Sequence, residues 1–137
     1  MYLLRFMSNK EKQMLLNHKR LFNRNPHGAE FTNSKGFCFM EIYASDINDE
    51  AWVIEDIKYH YQYLMGIVND ETGLVLEADK SLLKETRGSY ADPYSPGDTM
   101  CALEYCCDEY SLDNFTPIYE ITKVDDDDDM QIRRIIT

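Results

Sequence analysis

Residues 47–68, INDEAWVIEDIKYHYQYLMGIV, decide how the rest of the chain is read. Two periods compete in this stretch. Tyr59, Tyr61 and Tyr63 alternate with Lys58, His60 and Gln62 as in a half-buried strand, whereas Val53, Ile57, Tyr61, Leu64 and Val68 recur at helical spacing. Length favours the helix over the strand. Asn48-Asp49-Glu50 supplies an N-cap and negative charge at the positive end of the helix dipole, and Gly66 supplies a stop. With a helix here, the other apolar runs fall into strands that do not alternate with helices as βαβ units do, and the class is α+β.

Upstream, Phe37 to Tyr43 is aromatic and apolar enough for a central strand. Tyr2 to Met7 reads as a first strand. Ser8-Asn9-Lys10-Glu11 then has the form of a capping box, and Met14, Leu15, His18, Leu21 and Phe22 share one helical face that ends at Asn25-Pro26-His27-Gly28. Downstream, the turn Asn69 to Gly73 joins short strands at Ile67-Val68 and Leu74 to Glu77. Thr86 to Thr99, with Gly88, Pro93, Pro96 and Gly97, reads as a long loop. Met100 to Tyr110 is extended, Ser111 to Asn114 turns, and Phe115 to Val124 is a last strand in which Pro117 requires an edge or a bulge. The expectation is one α+β domain over residues 1–124, with an antiparallel or mixed sheet of about five strands and two helices. Residues 125–137 form an acidic run and a short tail that either frays or docks on the body.

The 137 residues suit one domain, and a hydrophobic fraction of 44% can fill a core. There is no run of 18 apolar residues and no basic segment ahead of the short apolar start, so the expected location is the cytoplasm. The formal net charge is −11, unevenly spread: residues 1–30 carry +4, residues 31–68 carry −4, residues 69–130 carry −13 and the last seven carry +2. Such a surface is a poor ligand for nucleic acid, whose binding depends on Lys and Arg at phosphates. It suits a basic protein groove, towards which a negative field steers association.

Cys38, Cys101, Cys106 and Cys107 are expected as reduced thiols in that compartment. No C-x2-C pair occurs and His18, His27 and His60 lie far away in sequence, so the spacing predicts no metal site. Asp125 to Asp129 lacks the alternating ligands of a calcium loop. No P-loop, nucleophile elbow or H-E-x-x-H is present, and no cofactor is expected. Tyr90 and Tyr94, beside Asp92 and Asp98 in the long loop, are the candidate partner-facing residues, together with Glu104, Asp108 and Glu109. Acids interleaved with aromatics suit an arginine-rich surface through carboxylate forks and cation-π contacts.

Arg5 in the first strand, Ser34 before Gly36-Phe37-Cys38-Phe39, and Glu109 before Tyr110-Ser111-Leu112 resemble, in that order, the Arg, Ser and Glu of ADP-ribosyltransferases. The resemblance implies that Arg5 and Ser34 hold a nicotinamide dinucleotide and that Glu109 supports transfer. The pattern departs from that family in having Cys107 two residues before Glu109, where Gln or Glu is usual, and in a serine without its S-T-S neighbours. By size and charge the chain also resembles small acidic phage-associated proteins, anti-CRISPR proteins among them. That likeness implies a non-enzymatic inhibitor, in a bacterial host cell, of a basic nucleic-acid enzyme, with neither membrane nor nucleic acid as a direct partner. An immunity protein for a basic toxin nuclease shares the same surface physics.

Overall fold

In the computed structural model, residues 1–23, 31–32, 35–64, 72–91, 94–123 and 131–135 are described. β1 (Tyr2–Met7) is buried on both faces, with Leu3 and Met7 on one side and Leu4 and Phe6 on the other. This strand therefore lies inside a sheet covered twice. Leu3 and Met7 join Leu15, Phe37, Phe39, Leu74, Tyr110 and Phe115 on the side of α1 (Asn9–Leu16). Leu4 and Phe6 join Ile42, Val75, Tyr119 and Ile121 against Val53 and Ile57 of α2 (Glu50–Leu64).

The remaining strands are β2 (Leu21–Phe22), β3 (Phe37–Glu41), β4 (Thr72–Glu77), β5 (Lys84–Ala91), β6 (Thr99–Cys107), β7 (Glu109–Tyr110), β8 (Thr116–Lys123) and β9 (Gln131–Arg134). Seven form one sheet in the order β5-β6-β3-β1-β4-β8-β9, with antiparallel neighbours throughout, and β2 pairs with β7 separately. The α+β class and the two helices agree with the sequence reading. β3 is central and α2 is a helix, as expected. No helix among the described residues is long and apolar enough to cross a membrane.

The strand count exceeds five for three local reasons. First, α1 stops at Leu16 instead of running on to Phe22. His18 takes a left-handed φ of 61°, its N–H donates to Leu15 O and that of Lys19 to Met14 O, which closes the helix in a Schellman turn and frees Leu21 and Phe22 to pair with β7. Second, Arg87 and Gly88, expected in a loop, lie in β5, where Arg87 pairs with Leu103 and Gly88 with Ala102. An edge strand tolerates such residues because one side needs no partner. Third, the tail docks: β9 pairs with β8, and Arg133 reaches Glu120 at 2.6 Å. Pro117 sits at the expected bulge, since Val75 pairs with Tyr119 but Leu76 with Pro117. The helix end at 25–28, the strand at Ile67-Val68 and the run Asp125 to Asp129 lie outside the described residues.

Ser8 caps α1 as expected, its hydroxyl accepting from Glu11 N at 3.2 Å. Gly36 opens β3 with φ 94°, and a Cβ there would meet the Cys107 carbonyl oxygen at 2.5 Å. Gly36→Ala is therefore expected to cost on the order of 1–3 kcal/mol, read as a lower urea midpoint; an unchanged midpoint would mean that the two strands can part at no cost.

On the α1 face an ionic group ties the tail-bearing strand to the helix. Lys12 Nζ donates to Thr72 Oγ1 at 2.7 Å and meets Glu120 Oε2 at 3.0 Å, while Arg133 holds the same carboxylate from the solvent side. Burial pushes the Glu120 carboxyl up, but Lys12 and Arg133 outweigh it and hold the group below its ordinary value. A depressed carboxyl contributes stability above its unfolded pKa of roughly 4.3 and loses it as pH falls through the folded value. The stability gap between wild type and Arg133→Met should accordingly close as pH is lowered from 6 to about 3 in urea titrations. A gap that widens on acidification would contradict the ion pair.

Candidate functional site

Arg5 alternates with Leu4 and Phe6 and so enters the α1 side of the sheet. Its Nε and Nη2 each donate to one oxygen of Glu11 at 2.8 Å, Nη1 donates to Cys38 O at 3.1 Å and Nη2 also to Phe31 O at 2.8 Å. The guanidinium stands 5.2 Å from the Phe37 ring centroid and 5.8 Å from that of Phe39. Burial opposes its charge, and Glu11 more than offsets that by raising the pKa. The Tyr110 hydroxyl donates to Glu11 as well, and its pKa rises through burial first and the neighbouring carboxylate second. Glu109, next to Tyr110 on β7, points to solvent instead. Arg5 and Glu109 thus point apart, one into the core and the other outwards, and Ser34 lies outside the described residues.

The expected partner-facing residues separate along β6. Tyr94, 79% exposed, and Asp98 lie in the turn between β5 and β6, where Ser95 Oγ donates to Asp98 at 2.8 Å. Tyr90 belongs to β5, paired with Met100, and Asp92 lies outside the described residues. Asp108 and Glu109 are exposed at the far end of β6, beside a cavity of about 410 Å³ that Lys84, Leu82, Cys107 and Asn114 also line. Nine residues of strand set the two groups roughly 30 Å apart. Glu104, expected on the contact surface, is only 7% exposed and receives Lys35 Nζ at 3.1 Å.

A denser acidic and aromatic surface lies on α2. Trp52, Glu55 and Tyr59 fall three and four residues apart on its outer side, and Tyr43 leads into it; Tyr43, Trp52 and Tyr59 are 59%, 46% and 42% exposed. Asp46, Asp49, Glu50 and Glu55 are exposed with them, and the one cation between residues 43 and 59, Lys58, is half-buried. Asp49 also caps the helix, accepting from Trp52 N at 3.2 Å. Asp56 and His60 turn inwards: Asp56 accepts from the Tyr43 and Ala44 amides, and His60 Nε2–H donates to Glu41 O at 3.0 Å. The strand expected over Phe37 to Tyr43 ends at Glu41, which leaves Tyr43 outside it and exposed. The signal that would have found the face is the helical wheel itself, since Val53, Ile57 and His60 occupy the opposite side.

The third constellation is on the sheet. Cys38 and Cys106 are direct cross-strand partners, their Sγ atoms 3.0 Å apart, and Thr86 Oγ1 is 3.3 Å from Cys106 Sγ. Glu104, two residues before Cys106, shares its face, and Lys35 bridges Glu104 to the carbonyl of Arg87 at 2.8 Å. Hydrogen bonds from Cys38 and from Thr86 outweigh burial and lower the Cys106 thiol to about 7, while the hydrogen bond to Cys106, with burial, raises that of Cys38. Burial pushes Cys107, on the other face, up to about 12.

Comparison with protein families, with curated proteins and with solved structures finds no match to this chain.

Proposed function

We propose that this protein is an acidic inhibitor or mimic that binds a basic, nucleic-acid-handling protein, such as a CRISPR effector nuclease, and blocks its nucleic-acid binding or activity. The observation that carries this reading is α2 and the segment leading into it, where four exposed carboxylates and three exposed aromatic rings occur with Lys58, half-buried, as the one cation between residues 43 and 59. Elsewhere exposed bases such as Lys19, Arg20, Lys84, Arg87 and Arg134 lie among the acids, so the negative field is not uniform. Carboxylates offer forks to arginine, and Tyr and Trp offer rigid contact area and cation-π faces, which is what a nucleic-acid groove lined by Arg and Lys would accept.

The test is capture from bacterial lysate with the wild-type protein as bait, followed by competition. The captured protein is purified on its nucleic acid, and the wild-type protein is titrated in. Release of the nucleic acid by the wild type, suppressed by moderate salt, supports the reading. A captured partner that keeps its nucleic acid throughout overturns it.

A further inference from the structure

We propose that Cys38, Cys106 and Glu104 form a binding site for a thiophilic divalent cation of the zinc class. One ligand atom from each, two sulfurs and a carboxylate oxygen, lies within 4.8 Å of the other two, and Glu104 and Cys106 are buried. Two of the three residues are paired in register on β3 and β6 and the third is two positions along the same strand, so the backbone of a sheet sets their spacing. The donor set, two thiolates and a carboxylate, is among those zinc takes, and three protein ligands leave a fourth position for water. Lys35, whose side chain is 37% exposed, marks the side from which solvent and metal reach the group.

Zinc–sulfur bonds of about 2.3 Å at a tetrahedral angle put the sulfurs about 3.8 Å apart, so the pair at 3.0 Å opens modestly on loading. On loading, each thiol releases one proton, the Glu104 carboxylate turns an oxygen to the metal, and the Lys35 ammonium moves off that oxygen. Starting from the dithiol, the net reaction is one zinc ion bound and two protons released. The site is invisible in sequence because 68 residues separate Cys38 from Cys106.

The experiment titrates zinc, and then cobalt(II) as a spectroscopic substitute, into the full chain under reducing conditions. Expected are one equivalent bound per chain, a proton release that approaches two in mildly acidic buffer and falls as pH rises, and thiolate-to-cobalt charge-transfer absorption. Cys38→Ser or Cys106→Ser should abolish that absorption, Glu104→Gln should weaken binding by roughly tenfold or more, and Cys101→Ser and Cys107→Ser should leave it intact. A second measurement needs no variant: zinc should protect Cys38 and Cys106, and neither Cys101 nor Cys107, from alkylation mapped by mass spectrometry. The proposal is overturned if cobalt binds without the sulfur band, as it would at the aspartate run. It is equally overturned if protection falls on other cysteines, or if Cys38 and Cys106 form a disulfide that persists under reductant and takes up no metal.

Discussion

Glu11→Gln is expected to cost about 3–5 kcal/mol of folding stability, because it leaves the Arg5 charge in the core without its counter-ion. Glu11 is 1% exposed and takes two hydrogen bonds from the guanidinium and a third from Tyr110, so two core-facing groups lose their acceptor charge together. For a domain whose total stability is about 5–15 kcal/mol, this is a large share. The cost reflects an unpaired buried ion and says little about the net worth of the pair. The double variant Arg5→Met with Glu11→Met should therefore recover much of the loss, packing against Phe37 and Phe39 where the guanidinium now lies. Urea unfolding of the wild type, Glu11→Gln and the double variant checks both. A Glu11→Gln loss under about 1 kcal/mol would mean that Arg5 finds water or another anion and is not held as described.

Reversal of the α2 face should act on association and leave the fold alone. The triple variant Asp46→Lys, Glu50→Lys, Glu55→Lys spares the Asp49 cap and changes exposed positions only. Its association rate with the captured partner is expected to fall by about 10- to 1000-fold at low salt. Its unfolding free energy should stay within about 1 kcal/mol, with Glu50→Lys losing a little helix-dipole stabilisation. Trp52→Ala should instead raise the dissociation rate, costing about 2 kcal/mol if Trp52 anchors the interface. Reversal of Asp98, Asp108 and Glu109 is the comparison: those carboxylates lie at the two ends of β6 and cannot act as one patch, so their effect should be smaller.

Much of the fold was legible because several segments decide their own structure. The Ser8 cap, the apolar run at Phe37, the helical period between Val53 and Leu64, and the demand of Pro117 for a bulge are local statements, and each was met. The misses came where one residue's backbone or a distant strand decides. A left-handed His18 ends α1 without the usual glycine, and β5 holds Gly88 only because β6 pairs along its whole length. The candidate sites divide the same way. Exposure on α2 follows from the helical wheel once the inner face is known. Glu104 and Cys106 share a strand face by simple alternation, yet the EYCC sequence is polar and apolar on both sides and does not say which face is covered. Cys38 joins them only through the register of β3 on β6.

The measurement to make is the association rate of wild-type protein and of the triple reversal with the captured partner, followed across ionic strength by stopped flow. An acidic mimic predicts a steep fall for the wild type as salt rises and a nearly flat response for the reversal, the two converging at high salt. A wild-type rate that does not change with salt, or a reversal that binds as fast, would contradict an electrostatic function for this face.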